Sequence, residues 1–209
     1  YLWNRNKEGM LKLKYHFLEG TDQAFVILVL AMIMLAFIAS AMNSLASTAF
    51  TREGMHLDLV KYIPVPYKTQ LTVKGLISVL ITFPGLLLCD IIAVVVLDLR
   101  LIWIPILAVL MLLCLIVTTI SGLYLDSSHP HSTWDDEYSA LRGNLNTFFD
   151  MAMIMVISVL VCGIGFIAAN MAGISLVAFL WLEGGMLLVL AIFACTKGFA
   201  MCVRNMEEL

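Results

Sequence analysis

Five long apolar stretches that carry almost no charge decide what this chain can fold into. A helix that crosses about 30 Å of hydrocarbon needs about 20 consecutive apolar residues, and runs much shorter than about 17 do not qualify. Five stretches pass, at 24–42, 75–97, 101–124, 151–169 and 174–196. Only 13% of the residues are charged, about half the share in a soluble domain. The sequence therefore predicts an all-α polytopic membrane protein, partnered by the lipid bilayer.

Two joints between these spans can be predicted from the sequence. Only Asp98, Leu99 and Arg100 separate the second span from the third, so these two spans are predicted to form a tight antiparallel hairpin. The last apolar stretch, 151–196, is about twice too long for one crossing at about 1.5 Å per residue. We expect it to divide at 170–173, where the sequence reads Asn-Met-Ala-Gly.

The basic residues predict which loops face the cytoplasm. Lys and Arg collect in the short cytoplasmic loops of membrane proteins. With five crossings, the loops 51–74 and 125–147 share one side with the C-terminal tail and hold most of the Lys and Arg, whereas the opposite loops hold only Arg100. The charged lead 1–23 reduces the difference in Lys and Arg between the two sides, because it is expected to lie on the extracytoplasmic side. The net charge of -3 includes no dense basic patch, which argues against a nucleic acid as partner.

The sequence lacks the usual motifs of an enzyme. It contains no HExxH metal site and no GxxxxGK[ST] phosphate loop, so ATP hydrolysis by that route would require a separate subunit. His129 and His131 flank Pro130, and this pair is predicted to be a solvated turn rather than a metal site. The five cysteines are widely spaced and are predicted to be small buried hydrophobic residues rather than disulfides. We expect no enzymatic activity, no metal and no cofactor.

Two carboxylates lie inside the predicted spans, Asp90 in the second and Glu183 in the fifth. A charged residue near the centre of a membrane helix costs about 2.5–3.5 kcal/mol on translocon scales. The functional interpretation places both residues on an aqueous cavity or substrate path. The alternative is that they interact with helix dipoles or lie nearer the membrane interface.

The loop 51–74 contains a segment with the pattern of a short amphipathic helix. At about 3.6 residues per turn, its apolar residues share one face while Asp58 and Lys61 point away. That apolar face consists of Met55, Leu59, Tyr62 and Ile63. Pro64 and Pro66 are expected to end the helix. Such a helix either seats in a groove of a cytoplasmic partner or anchors the loop at the membrane interface, and the pattern favours neither.

This loop also resembles a known family. The runs Arg52-Glu53-Gly54 and Lys61-Tyr62-Ile63-Pro64-Val65, with Lys74 opening the next span, are similar to the cytoplasmic loop of type-2 permeases of ATP-binding cassette (ABC) exporters, especially a bacterial branch. A second region resembles the loop that this branch carries before its fifth helix. Its matching residues are Leu125, Asp126, Pro130, Trp134, Asp135, Asn144, Leu145 and Asn146. The resemblance covers about residues 44–147.

The resemblance implies a function. In such permeases the first loop is a coupling helix that contacts a separate cytoplasmic ATP-binding subunit, and this role falls here on Arg52, Glu53, Gly54, Leu59 and Pro64. It also implies a second permease half or a homodimer, a bacterial cell membrane, and six helices per half, with the first helix upstream of Tyr1. Two other classes stay open. One is a secondary transporter that uses Asp90 or Glu183 for proton coupling, and the other is a non-transporting membrane scaffold or immunity protein.

Overall fold

The computed structural model describes residues 22–131, 134, 144–171 and 173–208, without the side chains of residues 22, 55 and 57–61. Most of the lead 1–23, much of the loop 125–147 and Asp135 lie outside this part of the chain. The described helices are α1 (Asp22–Met42), α2 (Tyr67–Val96), α3 (Trp103–Ser128), α4 (Leu145–Met171), α5 (Leu176–Phe193) and α6 (Phe199–Glu208). A 3₁₀ helix, Thr51–Tyr62, precedes α2, and a π-helical turn, Ala194–Gly198, joins α5 to α6.

Five of the described helical stretches are long and apolar enough to cross a membrane, and α5, the π turn and α6 together form the last of them. The residues that the structure describes contain no strand. The protein is therefore an all-α polytopic membrane protein, as the apolar stretches predict.

The helices extend further than the apolar stretches. The second helix begins at Tyr67 rather than 75, the fourth begins at Leu145 rather than 151, and the last continues to Glu208 rather than ending at 196. The loop 51–74 is correspondingly shorter than predicted. Polar residues such as Gln70 and Thr72 are compatible with a helix that continues past the hydrocarbon, so hydropathy locates the apolar part of a span and not its ends.

Both predicted joints are confirmed. Contacts between α2 and α3 follow the short connection 97–102, and Asp98 adopts a positive φ of 57° there. At the second joint, α4 ends at Met171, and Gly173 has a φ of +60°. Ser175 then caps α5, because its hydroxyl accepts a hydrogen bond from Ala178 N at 3.4 Å. The predicted break at 170–173 therefore separates two helices, although residue 172 lies outside the described part.

Helices α1 and α3 form the centre of the bundle. Phe37 of α1 and Leu107 of α3 are fully buried, and α3 contacts α1, α2, α4, α5 and α6. Helices α2, α4 and α5 are peripheral and expose many large apolar side chains, including Leu80 and Leu160. In a bilayer, these exposed apolar faces contact lipid chains, so they need no further protein to cover them.

The burial of the cysteines follows the division between central and peripheral parts of the bundle. All five are free, and Cys114, Cys162 and Cys202 are buried as predicted, whereas Cys89 and Cys195 are exposed. The prediction is wrong for these two because they lie on the peripheral helix α2 and on the π turn beside α5. Neither position needs a polar environment, since a free thiol behaves as a small hydrophobic group.

Gly122 allows α3 to approach the turn that follows α1. A Cβ atom at this position would lie 3.0 Å from the backbone N of Ser47 and 3.2 Å from Oδ2 of Asp150. We expect Gly122→Val to lower the free energy of unfolding by at least about 2 kcal/mol through overpacking. Gly85→Val is the matched control, because no atom lies within 4 Å of its added Cβ. The measurement is thermal unfolding in detergent, and equal midpoints for the two variants would contradict the tight contact.

Candidate functional site

The two loops predicted to face the cytoplasm meet at the carboxylate of Asp126, near the end of α3. Asp126 is fully buried. Its Oδ2 accepts hydrogen bonds from Phe50 N at 2.6 Å and Thr51 N at 3.1 Å, and its Oδ1 accepts from Thr51 Oγ1 at 2.5 Å and Asn146 Nδ2 at 3.2 Å. One side chain therefore connects the start of the 3₁₀ helix, the end of α3 and the start of α4.

Further hydrogen bonds converge on Thr51. Its hydroxyl oxygen accepts from Asn144 Nδ2 at 3.2 Å and from the backbone N of His131 at 3.1 Å. Asn146 Nδ2 also donates to His129 O at 2.7 Å. We call Thr51, Asp126, Asn144 and Asn146 the loop knot. Because backbone groups of both loops are bonded within it, the two loops are held as one unit.

Gly54 is required by its conformation and by its neighbour. Its φ of +53° and ψ of -131° interrupt the 3₁₀ helix, and L side chains rarely adopt such a φ. The indole of Trp134 covers it, so that a Cβ atom at Gly54 would lie 2.7 Å from Cζ2. The same indole donates from Nε1 to Thr51 O at 2.8 Å. The resemblance assigns Gly54 to coupling, but the backbone conformation and the contact with Trp134 already require glycine at this position.

Glu53 joins the loop to α2. Lys74 Nζ donates to Glu53 Oε1 at 2.5 Å and to Ala49 O at 2.8 Å, and it lies 5.0 Å from the centre of the Phe50 ring. Both charged side chains are mostly shielded, with 18% of Lys74 and 29% of Glu53 exposed. This pair is therefore less screened than an ordinary surface ion pair.

Arg52 bonds to the backbone of the turn after α1. Its Nε donates to Thr48 O at 3.2 Å and an Nη donates to Leu45 O at 2.9 Å. Among the residues assigned to coupling, Arg52 and Glu53 therefore stabilise the loop's own attachment to the bundle.

The last residue of the 3₁₀ helix and the three residues after it form an exposed apolar tip. It consists of Tyr62, Ile63, Pro64 and Val65, and Tyr62 is 82% exposed. Ile63 is extended, with ψ at 121°, as expected before a proline. The segment is helical as predicted, but it is a 3₁₀ helix with about 3.0 residues per turn. The apolar face predicted from about 3.6 residues per turn therefore does not describe it. Leu59 lies in this helix, and its side chain is outside the described part.

Glu183 is fully buried and occupies a space left by a glycine. Neither carboxyl oxygen has a hydrogen-bond partner among the described residues. The side chain fills the position where a Cβ atom of Gly165 would lie, on α4. No cation of the described chain neutralises the carboxyl group.

Asp90 of α2 is also fully buried without a hydrogen-bond partner in the described part. Neither Asp90 nor Glu183 has any exposed surface, so neither carboxyl group contacts water in this conformation. Both side chains thus retain the cost of a polar group that is buried and unbonded.

Sequence reasoning missed the loop knot. Asp126 and Asn144 entered only as residues of the resemblance, and Thr51 had no assigned role. Asp150 is another buried carboxylate that was missed, and its Oδ1 accepts from Ser121 Oγ at 2.6 Å. The sequence signal for these residues was the presence of acidic, amide and hydroxyl side chains at the ends of apolar spans. Such side chains form hydrogen bonds with backbone groups that have no partner within a helix. Among the described residues no group of His, Cys, Asp and Glu could hold a metal ion.

Comparison with known proteins gives no match, since no protein family, no curated protein and no solved structure matches this chain.

Two buried aspartates should respond differently to the same substitution. Asp126→Asn removes one of two accepting oxygens and leaves buried donors unpaired, so we expect it to lower stability by about 2–3 kcal/mol. Asp90→Asn removes a buried acid that has no partner, so we expect it to leave stability unchanged or raise it. Thermal unfolding in detergent measures both. A loss for Asp90→Asn as large as that for Asp126→Asn would contradict the assigned contacts.

Proposed function

We propose that this protein is the membrane-spanning subunit of an ABC exporter and that a separate cytoplasmic ATPase drives it. The observation that supports this function best is the combination of the exposed apolar tip with the loop knot behind it. Tyr62 and Ile63 offer a contact surface, and the segment that carries them is bonded to α2, to α3 and to Asn144, the residue before α4. A partner that pushes the tip would therefore move spanning helices and not only a loop.

The proposed mechanism follows the bonds of the loop. When the ATP-binding subunits close on ATP, they displace the tip and the 3₁₀ helix. The displacement reaches α3 through the hydrogen bonds of Asp126 and reaches α2 through the pair Glu53–Lys74. Helices α2 and α3 then tilt relative to α5, and the substrate path opens alternately to the two sides. On the basis of the resemblance, we expect this event in a bacterial cell membrane, with a second permease half completing the path.

A proton-coupled secondary transporter is the second candidate, and Glu183 favours it. Ionisable residues inside membrane spans commonly mark proton relays or substrate and ion pathways. Movement of α5 against Gly165 of α4 would expose the group to one side of the membrane, where it could exchange a proton. This candidate needs no ATP-binding subunit.

The exposed apolar tip provides the first test. We expect the double variant Tyr62→Ser, Ile63→Ser to lose at least about tenfold of the ATP-binding subunit that co-purifies with the tagged protein from its native membrane, because the apolar contact is removed. The matched control is Leu101→Ser, Ile102→Ser, an equally exposed apolar pair in the hairpin between α2 and α3. Absence of any ATP-binding subunit with the unmodified protein, or equal losses in both double variants, would contradict the proposal.

A second test separates docking from transmission. Glu53→Ala keeps the tip but removes the ion pair with Lys74, so we expect normal co-purification and an ATPase activity that no longer responds to transported substrate. Glu208→Ala serves as the control, because it removes only an exposed pair with Arg204 at 3.3 Å. A substrate response in Glu53→Ala equal to that of the unmodified complex would remove Glu53 from the coupling role.

A third test addresses the proton-coupled candidate. In proteoliposomes with an imposed pH gradient and no ATP, a panel of peptides, drugs and lipids is screened for substrate-dependent proton movement. The secondary transporter predicts a signal that Glu183→Gln abolishes, because an amide cannot carry the proton, and that Cys195→Ser leaves intact. The ABC proposal predicts no such signal. Proton movement in the unmodified protein that is lost in Glu183→Gln would therefore contradict the ABC proposal and support the secondary transporter.

A further inference from the structure

An apolar crevice of about 380 Å³ lies between α2, α3 and the π turn. Its wall includes Gly75 and Leu76 of α2, Ile116 and Leu123 of α3, Cys195 of the π turn and Phe199, the first residue of α6. All of these residues belong to membrane-spanning stretches. The crevice therefore opens sideways into the bilayer, at the end of the bundle that holds the loop knot.

The position of the crevice favours a lipid chain as its occupant. Its walls belong to membrane-spanning stretches, and lipid chains are the medium that surrounds such stretches. A lipid chain is also narrow and flexible enough to enter a crevice between helices, whereas a second copy of this chain would change the oligomeric state.

An exposed positive charge points to a ligand with an anionic group at one end. Lys68 is exposed one turn before Thr72 on the same face of α2, and the described residues give it no ion-pair partner. The nearby Lys74 is already bonded to Glu53. A free positive charge therefore lies just beyond the end of an apolar crevice.

We propose that this crevice binds one acyl chain of an anionic phospholipid from the leaflet at the loop end, with the lipid phosphate near Lys68. The acyl chain covers the apolar wall, and the phosphate contacts the ammonium group of Lys68. The π turn forms one side, and such turns occur frequently at functional sites. This site is independent of the proposed export function, since it requires only that the protein lies in a bilayer.

The test measures binding of dioleoyl phosphatidylglycerol to delipidated full-length protein in mild detergent, by native mass spectrometry. We expect one tightly bound lipid. Cys195→Trp fills the crevice from one wall and should weaken binding about tenfold, whereas Cys89→Trp, at the other exposed cysteine, should not. Gly75→Val fills it from the opposite wall, with Gly85→Val as its control. Thermal unfolding confirms that each variant is folded.

The headgroup is tested with dioleoyl phosphatidylcholine as the second probe. The unmodified protein should prefer phosphatidylglycerol several-fold, and Lys68→Gln should remove that preference while chain binding remains. Equal binding of the two lipids by the unmodified protein would overturn the role of Lys68. Absence of bound lipid, or full binding in both filled variants, would overturn the site. A change of oligomeric state in Cys195→Trp without any change in bound lipid would also overturn it, by identifying a second copy as the occupant.

Discussion

The structure depends on how backbone N–H groups beyond the ends of helices find hydrogen-bond acceptors at the edge of the hydrocarbon. After α1 the chain turns back among packed helices, and the N–H groups of Phe50 and Thr51 are buried there. A buried N–H without an acceptor costs about 1–3 kcal/mol. Asp126 supplies the acceptors from the end of α3. Because a carboxylate accepts several hydrogen bonds, one residue also fixes Thr51 and Asn146, and the position of the 3₁₀ helix follows.

Carboxylates are buried in this bundle in two different ways. Asp126 and Asp150 lie at the loop end and accept hydrogen bonds from hydroxyl, amide or backbone donors. Asp90 and Glu183 are equally buried but have no hydrogen-bond partner in the described part of the chain. The first pair stabilises the fold because its acceptors are used. The second pair costs stability, which is the physical reason to associate it with function and not with folding.

The sequence predicted the fold well where one physical effect dominates. Hydrophobic length located all five spans, and the need to divide an overlong stretch located the joint near Gly173. It did not predict where helices end, because helical hydrogen bonds continue at Tyr67 and Phe199 after the hydrocarbon requirement has stopped. The α-helical period predicted for the loop was also wrong. The helix is interrupted at Gly54, and the side chain that packs on Gly54 belongs to Trp134, 80 positions later in the chain.

The candidate site was predictable only in part for the same reason. Charge and resemblance singled out Arg52, Glu53 and Gly54, which all lie at the attachment of the loop. The residues that receive this attachment, Asp126 and Asn144, are distant in sequence. A pattern along the chain carries no information on which carboxylate will be surrounded by donors and which will remain without them, because that depends on helix packing.

The first turns of α2 connect the two parts of the molecule to which we assign new roles. Lys74 is bonded to Glu53 of the 3₁₀ helix, and the adjacent Gly75 lies in the wall of the crevice. A helix that is held by the loop on one face and faces lipid on the other responds to both. A lipid in the crevice would support α2 against α3 and favour the arrangement in which the ion pair is formed. Since any such coupling is reciprocal, displacement of the loop by a partner would in turn change the affinity of the crevice for lipid.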